Sequence, residues 1–89
     1  MKTYFEIIHF MEDCFDFCEV PYERNECWDG FQLRVPWSVG DVAINSYTYG
    51  ASCGRVETFH FPWDDGDVTS MTPMEAVYKI VTYYRKKEA

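Results

Sequence analysis

The sequence predicts an α+β fold of two layers, in which two helices pack on a three-stranded antiparallel sheet. Three observations support it: an apolar stripe at helical spacing near the N-terminus, three short β-type segments in the middle, and a second helical stripe near the C-terminus. The order α-β-β-β-α with short connections favours an antiparallel sheet with both helices on one face. The chain has 89 residues, and we expect one domain over residues 1–89.

The first helix is predicted over residues 3–19, a segment that contains neither glycine nor proline. Its apolar residues recur at steps of three and four, as on a helix with one buried face: Tyr4, Ile7, Ile8, Met11, Phe15 and Cys18. A strand over Tyr4–Phe10 is the alternative, because tyrosine, phenylalanine and isoleucine all favour sheets. Pro21 ends the helix, since its ring disfavours helical geometry in the preceding residue.

The middle of the chain is predicted to form three strands, over Phe31–Val35, Val42–Tyr49 and Arg55–Phe61. The first alternates apolar and polar residues, as expected for a strand with one buried face. A turn framed by Gly50 and Gly54 separates the second strand from the third. The run Asp-Asp-Gly-Asp at 64–67 predicts a solvated loop.

The C-terminal helix has the clearest start signal in the chain. Thr72, Pro73 and Glu75 combine a capping threonine, a proline at the first helical position and a glutamate three residues after the cap. Apolar residues then follow at helical spacing: Met74, Val77, Ile80, Val81 and Tyr84. These positions are expected to face the core.

Charge is distributed unevenly along the chain. Residues 6–29 hold eight acids and one base, a net charge of −7 that equals the formal charge of the whole protein. Basic residues gather at 85–87. Such segregation costs stability through self-repulsion and indicates a positively charged partner, although an acidic surface that serves only solubility is the alternative. The same charge opposes direct binding of nucleic acid.

Acidic residues at steps of three and four on the first helix share one face and form a carboxylate row. The row comprises Glu12, Asp16 and Glu19, and beyond the helix Glu23 and Glu26 follow. A second contact is predicted at Trp63, Asp64, Asp65 and Asp67, where an aromatic residue stands beside acids. Coverage of the core rim is the alternative role of Trp63. We expect lysine at positions 12, 16 and 19 to leave the fold intact and to abolish binding to a basic partner.

No motif indicates catalysis, a cofactor or a metal site, so we expect a protein that is not an enzyme. Ser46, Ser52 and Cys53 lack the local signatures of a nucleophile. The four cysteines are expected to be reduced and buried; zinc on Cys14 and Cys18, completed by Cys27 or His60, is the alternative. A membrane span needs about 18 consecutive apolar residues, and no apolar run in the chain approaches that length. No signal peptide is evident, so we expect a cytoplasmic protein.

Short length, strong acidity, many aromatic residues and the lack of a catalytic motif together resemble the small inhibitors that phages and mobile elements make against host defence. These include anti-CRISPR proteins and other DNA mimics. The resemblance implies a stoichiometric inhibitor, acting in the host cytoplasm, that occupies the nucleic-acid-binding groove of a basic protein or CRISPR effector complex. Two alternatives stay open: an antitoxin or immunity protein that plugs a toxin nuclease, and an accessory module that forms a homodimer.

Overall fold

The computed structural model describes residues 2–88, and the predicted α+β class is confirmed with a larger sheet than expected. Two helices, α1 (Tyr4–Phe17) and α2 (Pro73–Glu88), flank five strands. The strands are β1 (Glu23–Cys27), β2 (Gly30–Arg34), β3 (Asp41–Ile44), β4 (Val56–Phe59) and β5 (Val68–Met71). Successive strands pair antiparallel in the order β1-β2-β3-β4-β5, so β1 and β5 form the two edges.

The prediction of three strands is wrong because both edge strands lack an apolar alternation. β1 has the sequence Glu-Arg-Asn-Glu-Cys, and four of its five residues are exposed. It pairs with β2 from Glu23 opposite Arg34 to Cys27 opposite Gly30. β5 has only four residues and pairs along the whole length of β4. Pairing with a neighbouring strand, rather than the local pattern, therefore defines these two elements.

The long second strand predicted over Val42–Tyr49 is also wrong, because β3 ends at Ile44. The backbone N–H of Asn45 donates to Thr48 Oγ1 at 3.1 Å, and the N–H of Tyr47 donates to Asn45 Oδ1 at 2.8 Å. Such local bonds from side chains to the backbone compete with the hydrogen bonds of a sheet. A turn over residues 45–50 replaces the second half of the predicted strand.

Both helices begin with reciprocal caps, of which only the one on α2 was predicted. In α1, Thr3 and Glu6 exchange backbone-to-side-chain hydrogen bonds of 3.0 and 3.1 Å, which settles the helix against the strand alternative for the segment 3–10. In α2, Thr72 and Glu75 do the same, at 3.1 and 3.2 Å. These bonds satisfy backbone N–H groups that have no partner inside the helix.

One face of the sheet packs against both helices and forms the core. The most deeply buried side chains come from every layer: Ile8, Met11, Phe15, Leu33, Val42, Ile44, Val56 and Ile80. Because side chains alternate along a strand, the intervening residues of β1 to β4 point away from the helices. That second face is mainly polar, with Asn25, Gln32, Arg34, Asp41 and Glu57, although Ala43 and Phe59 share it.

Candidate protein-binding surface

Exposed carboxylates gather where the C-terminal half of α1 meets the edge strand β1. We define this acidic edge by five residues: Asp13, Asp16, Glu19, Glu23 and Glu26. Two contacts join the helix to the strand region: an ion pair from Arg24 to Glu12, and a contact between the rings of Phe15 and Tyr22, whose centroids are 5.8 Å apart. The acidic edge is therefore carried by α1, by β1 and by the short segment between them, which holds Glu19.

Glu12 does not belong to this exposed surface, contrary to its predicted place in the carboxylate row. Its residue is only 6% exposed, and its Oε2 lies 2.9 Å from Nε of Arg24. The guanidinium of Arg24 in turn lies over the rings of Phe5 and Phe31, at 5.5 and 5.8 Å from their centroids. The chain's own base thus neutralises Glu12, which has a structural role between α1 and β1.

Asp16 is exposed as predicted, and the phenol of Tyr22 lies near its carboxylate. Burial, together with the hydrogen bond and the charge of Asp16, raises the pKa of Tyr22 to about 12. Tyr22 therefore stays protonated at neutral pH and can donate to the Asp16 carboxylate. A protonated phenol carries no charge, so Tyr22 is not a counter-ion for Asp16.

The rest of the acidic edge has few internal partners. Among residues 2–88, Asp13 contacts a base, with Oδ2 at 3.7 Å from His9 Nε2, whereas Asp16, Glu19, Glu23 and Glu26 form no salt bridge. Glu19 lies near the end of α2, where desolvation and the carboxylates of Glu88 and Glu19 raise the pKa of Tyr84. Four predicted contact residues are therefore both exposed and without an ion pair in the described chain.

The second predicted contact is only partly on the surface. Asp64 is 4% exposed and accepts hydrogen bonds from Thr58 Oγ1 at 2.7 Å and from the backbone N–H of Phe61 at 3.0 Å. Trp63 is half-buried; it stacks on Phe61 with 4.6 Å between centroids and donates from Nε1 to Thr58 at 2.9 Å. Asp64 is thus a structural residue inside the predicted solvated loop, and Trp63 covers the core rim.

Asp65 and Asp67 are exposed, but they lie far from the acidic edge. Both precede β5, which is the edge of the sheet opposite to β1. Four strand spacings of about 4.8 Å place the two edges ~19 Å apart. The structure therefore divides the predicted acidic contacts into two separate surfaces.

The sequence reasoning missed an exposed aromatic tip beside β1. Trp28 and Tyr47 are each 77% exposed, and their rings form a T-shaped pair with centroids 5.4 Å apart. The signal was available, since tryptophan is unusual in a two-residue hairpin turn. Pairing of Trp28 with a residue 19 positions away could not be read from that turn alone.

Two open depressions lie elsewhere on the surface. An apolar groove of 570 Å³ runs between the N-terminal ends of the helices, lined by residues that include Ile7, Phe10, Cys53 and Met74. A polar depression of 500 Å³ on the uncovered sheet face includes Asp41 and His60, whose Oδ2 and Nδ1 are 3.9 Å apart.

The four cysteines are free thiols, but none is buried as expected: Cys14, Cys18 and Cys27 are partly buried and Cys53 is exposed. Burial, with the neighbouring Cys18 and Asp13, raises the pKa of Cys14, which favours its protonated form. Over residues 2–88, no group of three or more cysteine, histidine, aspartate or glutamate side chains is arranged to hold a metal ion. The helices in that same range are too short or too polar to cross a membrane.

Comparison with protein-family models, curated proteins and solved structures gives no match for this chain. Function is therefore inferred from surface geometry and charge. The acidic edge combines four exposed carboxylates that form no salt bridge within residues 2–88, and it adjoins the exposed Trp28.

Proposed function

We propose that this protein is a stoichiometric inhibitor whose acidic edge binds the cationic nucleic-acid-binding groove of a larger protein or ribonucleoprotein, in the manner of anti-CRISPR proteins and other DNA mimics. One observation supports it above all. Asp16, Glu19, Glu23 and Glu26 are exposed at the junction of α1 and β1 and form no ion pair within residues 2–88. A surface that serves only solubility has no need to concentrate like charges on two elements held together.

The shape of the acidic edge suits a groove better than a flat surface. Asp16 lies in the last turn of α1, but the helix ends at Phe17 and not at residue 19 as predicted, so Glu19 follows it at a φ of 58°. Glu23 and Glu26 are three positions apart on β1, so their side chains project on opposite faces of the strand. The carboxylates therefore wrap around the edge of the sheet, and a cleft lined with lysine and arginine could contact them from both sides.

Electrostatics predicts how such a complex forms. Complementary charge accelerates encounter and selects the partner more than it adds affinity. The attraction between exposed charges is screened within about 8 Å at physiological salt. We therefore expect fast association whose rate and strength fall as salt is added.

A homodimerising accessory module is the second candidate, because the helical layer leaves apolar side chains exposed. Phe17 and Tyr78 are exposed on the two helices, and so is Met74, which was expected to face the core. Both helices end on the same side of the molecule, since Trp37 joins Pro21, just beyond α1, to Tyr84 near the end of α2. Face-to-face pairing of two copies can therefore place the acidic end of α1 against the basic end of α2. A dimer that persists at high salt in light scattering would favour this candidate.

The proposed inhibitor is tested with purified CRISPR effector ribonucleoproteins and toxin nucleases, measuring capture and loss of nucleic-acid binding or cleavage. The test variant is Asp16→Lys with Glu19→Lys, and the matched control is Asp65→Lys with Asp67→Lys. Each pair reverses two charges and includes one residue at positive φ, Glu19 at 58° and Asp65 at 48°. We expect the wild type and the control to block an effector and the test variant to lose this ability.

Two results separate the remaining interpretations. Capture of a toxin nuclease in place of an effector would support the antitoxin alternative, with the same acidic edge. Equal inhibition by the wild type and the Asp16→Lys/Glu19→Lys variant, or no binding by the wild type across both classes, would contradict the proposal.

A further inference from the structure

Trp28 combines backbone strain with exposure. It occupies the first position of the two-residue turn between β1 and β2, with a φ of 56°, in the left-handed region that bulky residues rarely adopt. Its side chain is 77% exposed, so burial in the core does not compensate for this strain. A strained residue that gains little from packing is a reason to look for a function at that position.

The neighbouring loop holds a second ring in place beside Trp28. Tyr47 contacts Trp28 in a T-shaped arrangement, with 66° between the ring planes. Asp29 Oδ1 accepts a hydrogen bond of 2.9 Å from the backbone N–H of Ser46, which joins the hairpin turn to the loop that carries Tyr47. The N–H of Tyr47 itself donates to Asn45. The turn that carries Trp28 is therefore hydrogen-bonded to the loop that carries Tyr47, and that loop has a further hydrogen bond of its own.

The charge around the ring pair is negative. Residues 25–33 contain Glu26 and Asp29 and no base, and residues 42–50 contain no charged residue. The hydrogen bonds from Ser46 lower the pKa of Asp29, which keeps this carboxylate ionised at neutral pH. Aromatic faces attract ammonium and guanidinium groups, and nearby carboxylates strengthen that preference.

We propose that Trp28 and Tyr47 form an aromatic platform that binds a lysine or arginine side chain of a partner protein. This inference rests on the proposed function, because it assigns an anchor for the same cationic partner. Glu26 of the acidic edge is two residues before Trp28, so both features belong to one hairpin. The protein already contains such an arrangement, since Arg24 lies over Phe5 and Phe31 while its Nε pairs with Glu12.

The platform is tested by calorimetric titration of the protein with the peptide hexaarginine. Trp28→Ala and Tyr47→Ala remove the two rings, and we expect each to weaken binding about two- to fivefold. Tyr49→Ala is the matched control, because Tyr49 is 78% exposed on the same loop but makes no ring contact with Trp28 in the described structure. It is expected to bind as the wild type does, and Trp28→Phe is expected to retain most of the affinity.

A glycine variant separates a binding role from a structural one. Glycine adopts positive φ without strain, so Trp28→Gly is expected to raise the melting temperature while it weakens hexaarginine binding. If Trp28 only stabilised the hairpin, Trp28→Gly would lower the melting temperature and leave the affinity unchanged. That result would overturn the platform.

The remaining outcomes distinguish the platform from the proposed function. Wild-type affinity in Trp28→Ala, with binding lost in Asp16→Lys/Glu19→Lys, would overturn the platform and leave the acidic edge supported. The reverse pattern would support the platform and overturn the acidic edge. Tighter binding of a single-stranded oligonucleotide than of hexaarginine, or a homodimer that Trp28→Ala dissociates, would assign the rings to a different partner and overturn the inference.

Discussion

Glu12 shows at the residue scale how a distant partner decides what a carboxylate does. By spacing it belongs to the same helical face as Asp16 and Glu19, yet it is buried against Arg24 of β1. No helical pattern could reveal that contact, because β1 itself has no apolar alternation. The exposure of Asp16, Glu19, Glu23 and Glu26 could be predicted because it depends on local position and charge.

The burial of Glu12 corrects the expectation that lysine at position 12 leaves the fold intact. Glu12→Lys replaces an ion pair with two like charges, one of them nearly inaccessible to water. We expect it to lower the free energy of unfolding by about 2 kcal/mol. Asp13→Lys, at an exposed neighbour on the same helix, is expected to change it by less than about 0.5 kcal/mol. Urea denaturation measures both, and equal stability of the two variants would show that the pair does not contribute.

Tyr22 is expected to make the stability of the folded protein depend on pH in the alkaline range. Its pKa rises from the ordinary 10.0 to about 12 on folding, so between these values the unfolded chain loses the phenol proton while the folded protein keeps it. The stabilisation is full below pH 10 and is lost as the pH rises through 12. Melting temperatures across this range should fall less steeply for Tyr22→Phe than for the wild type. Parallel curves would contradict the assigned pKa.

At the scale of elements, the helices were predictable and the edge strands were not. The caps at Thr3 and Thr72 and the apolar stripes are local signals, and helices depend mainly on local contacts. β1 and β5 exist because a neighbouring strand offers hydrogen bonds, which no short stretch of sequence records. The loop before β5 was also not predicted correctly, because Asp64 is buried there and accepts hydrogen bonds from Thr58 and Phe61.

Asp64 is predicted to stabilise the connection from β4 to β5. Asp64→Ala removes the acceptor for the buried hydroxyl of Thr58 and for the N–H of Phe61. We expect a loss of about 2–3 kcal/mol in the free energy of unfolding. Asp65→Asn is the control, because asparagine tolerates the positive φ of this exposed position. Similar stability of the two variants in chemical denaturation would contradict the role of Asp64.

The apolar stripe of α2 is tested by placing a charge first on the buried face of the helix and then on its exposed face. Ile80 is fully buried, so Ile80→Asp buries an unpaired carboxylate and is expected to unfold the domain. Tyr78 is exposed, and Tyr78→Asp is expected to stay folded. Circular dichroism distinguishes them, and a folded Ile80→Asp variant would refute the assigned core face. Val77→Asp is expected to behave like Ile80→Asp.

At the scale of the whole molecule, the strand order separates two groups of acidic residues that the sequence analysis assigned to the same partner. The acidic residues before and within β1 occupy one edge, and Asp65 and Asp67 occupy the other. The concentration of charge could be predicted from the sequence, whereas its division between two edges required the strand order. One partner groove is therefore expected to contact the β1 edge alone.

The most direct test of the acidic edge is the affinity for hexaarginine over a series of salt concentrations, compared between the wild type and Asp16→Lys/Glu19→Lys. We predict that the wild type binds at low salt and weakens steeply as salt is added, because exposed charges are screened. The variant should bind weakly and respond little to salt, while Asp65→Lys/Asp67→Lys follows the wild type. Equal affinity and equal salt dependence in the wild type and the Asp16→Lys/Glu19→Lys variant would contradict the account.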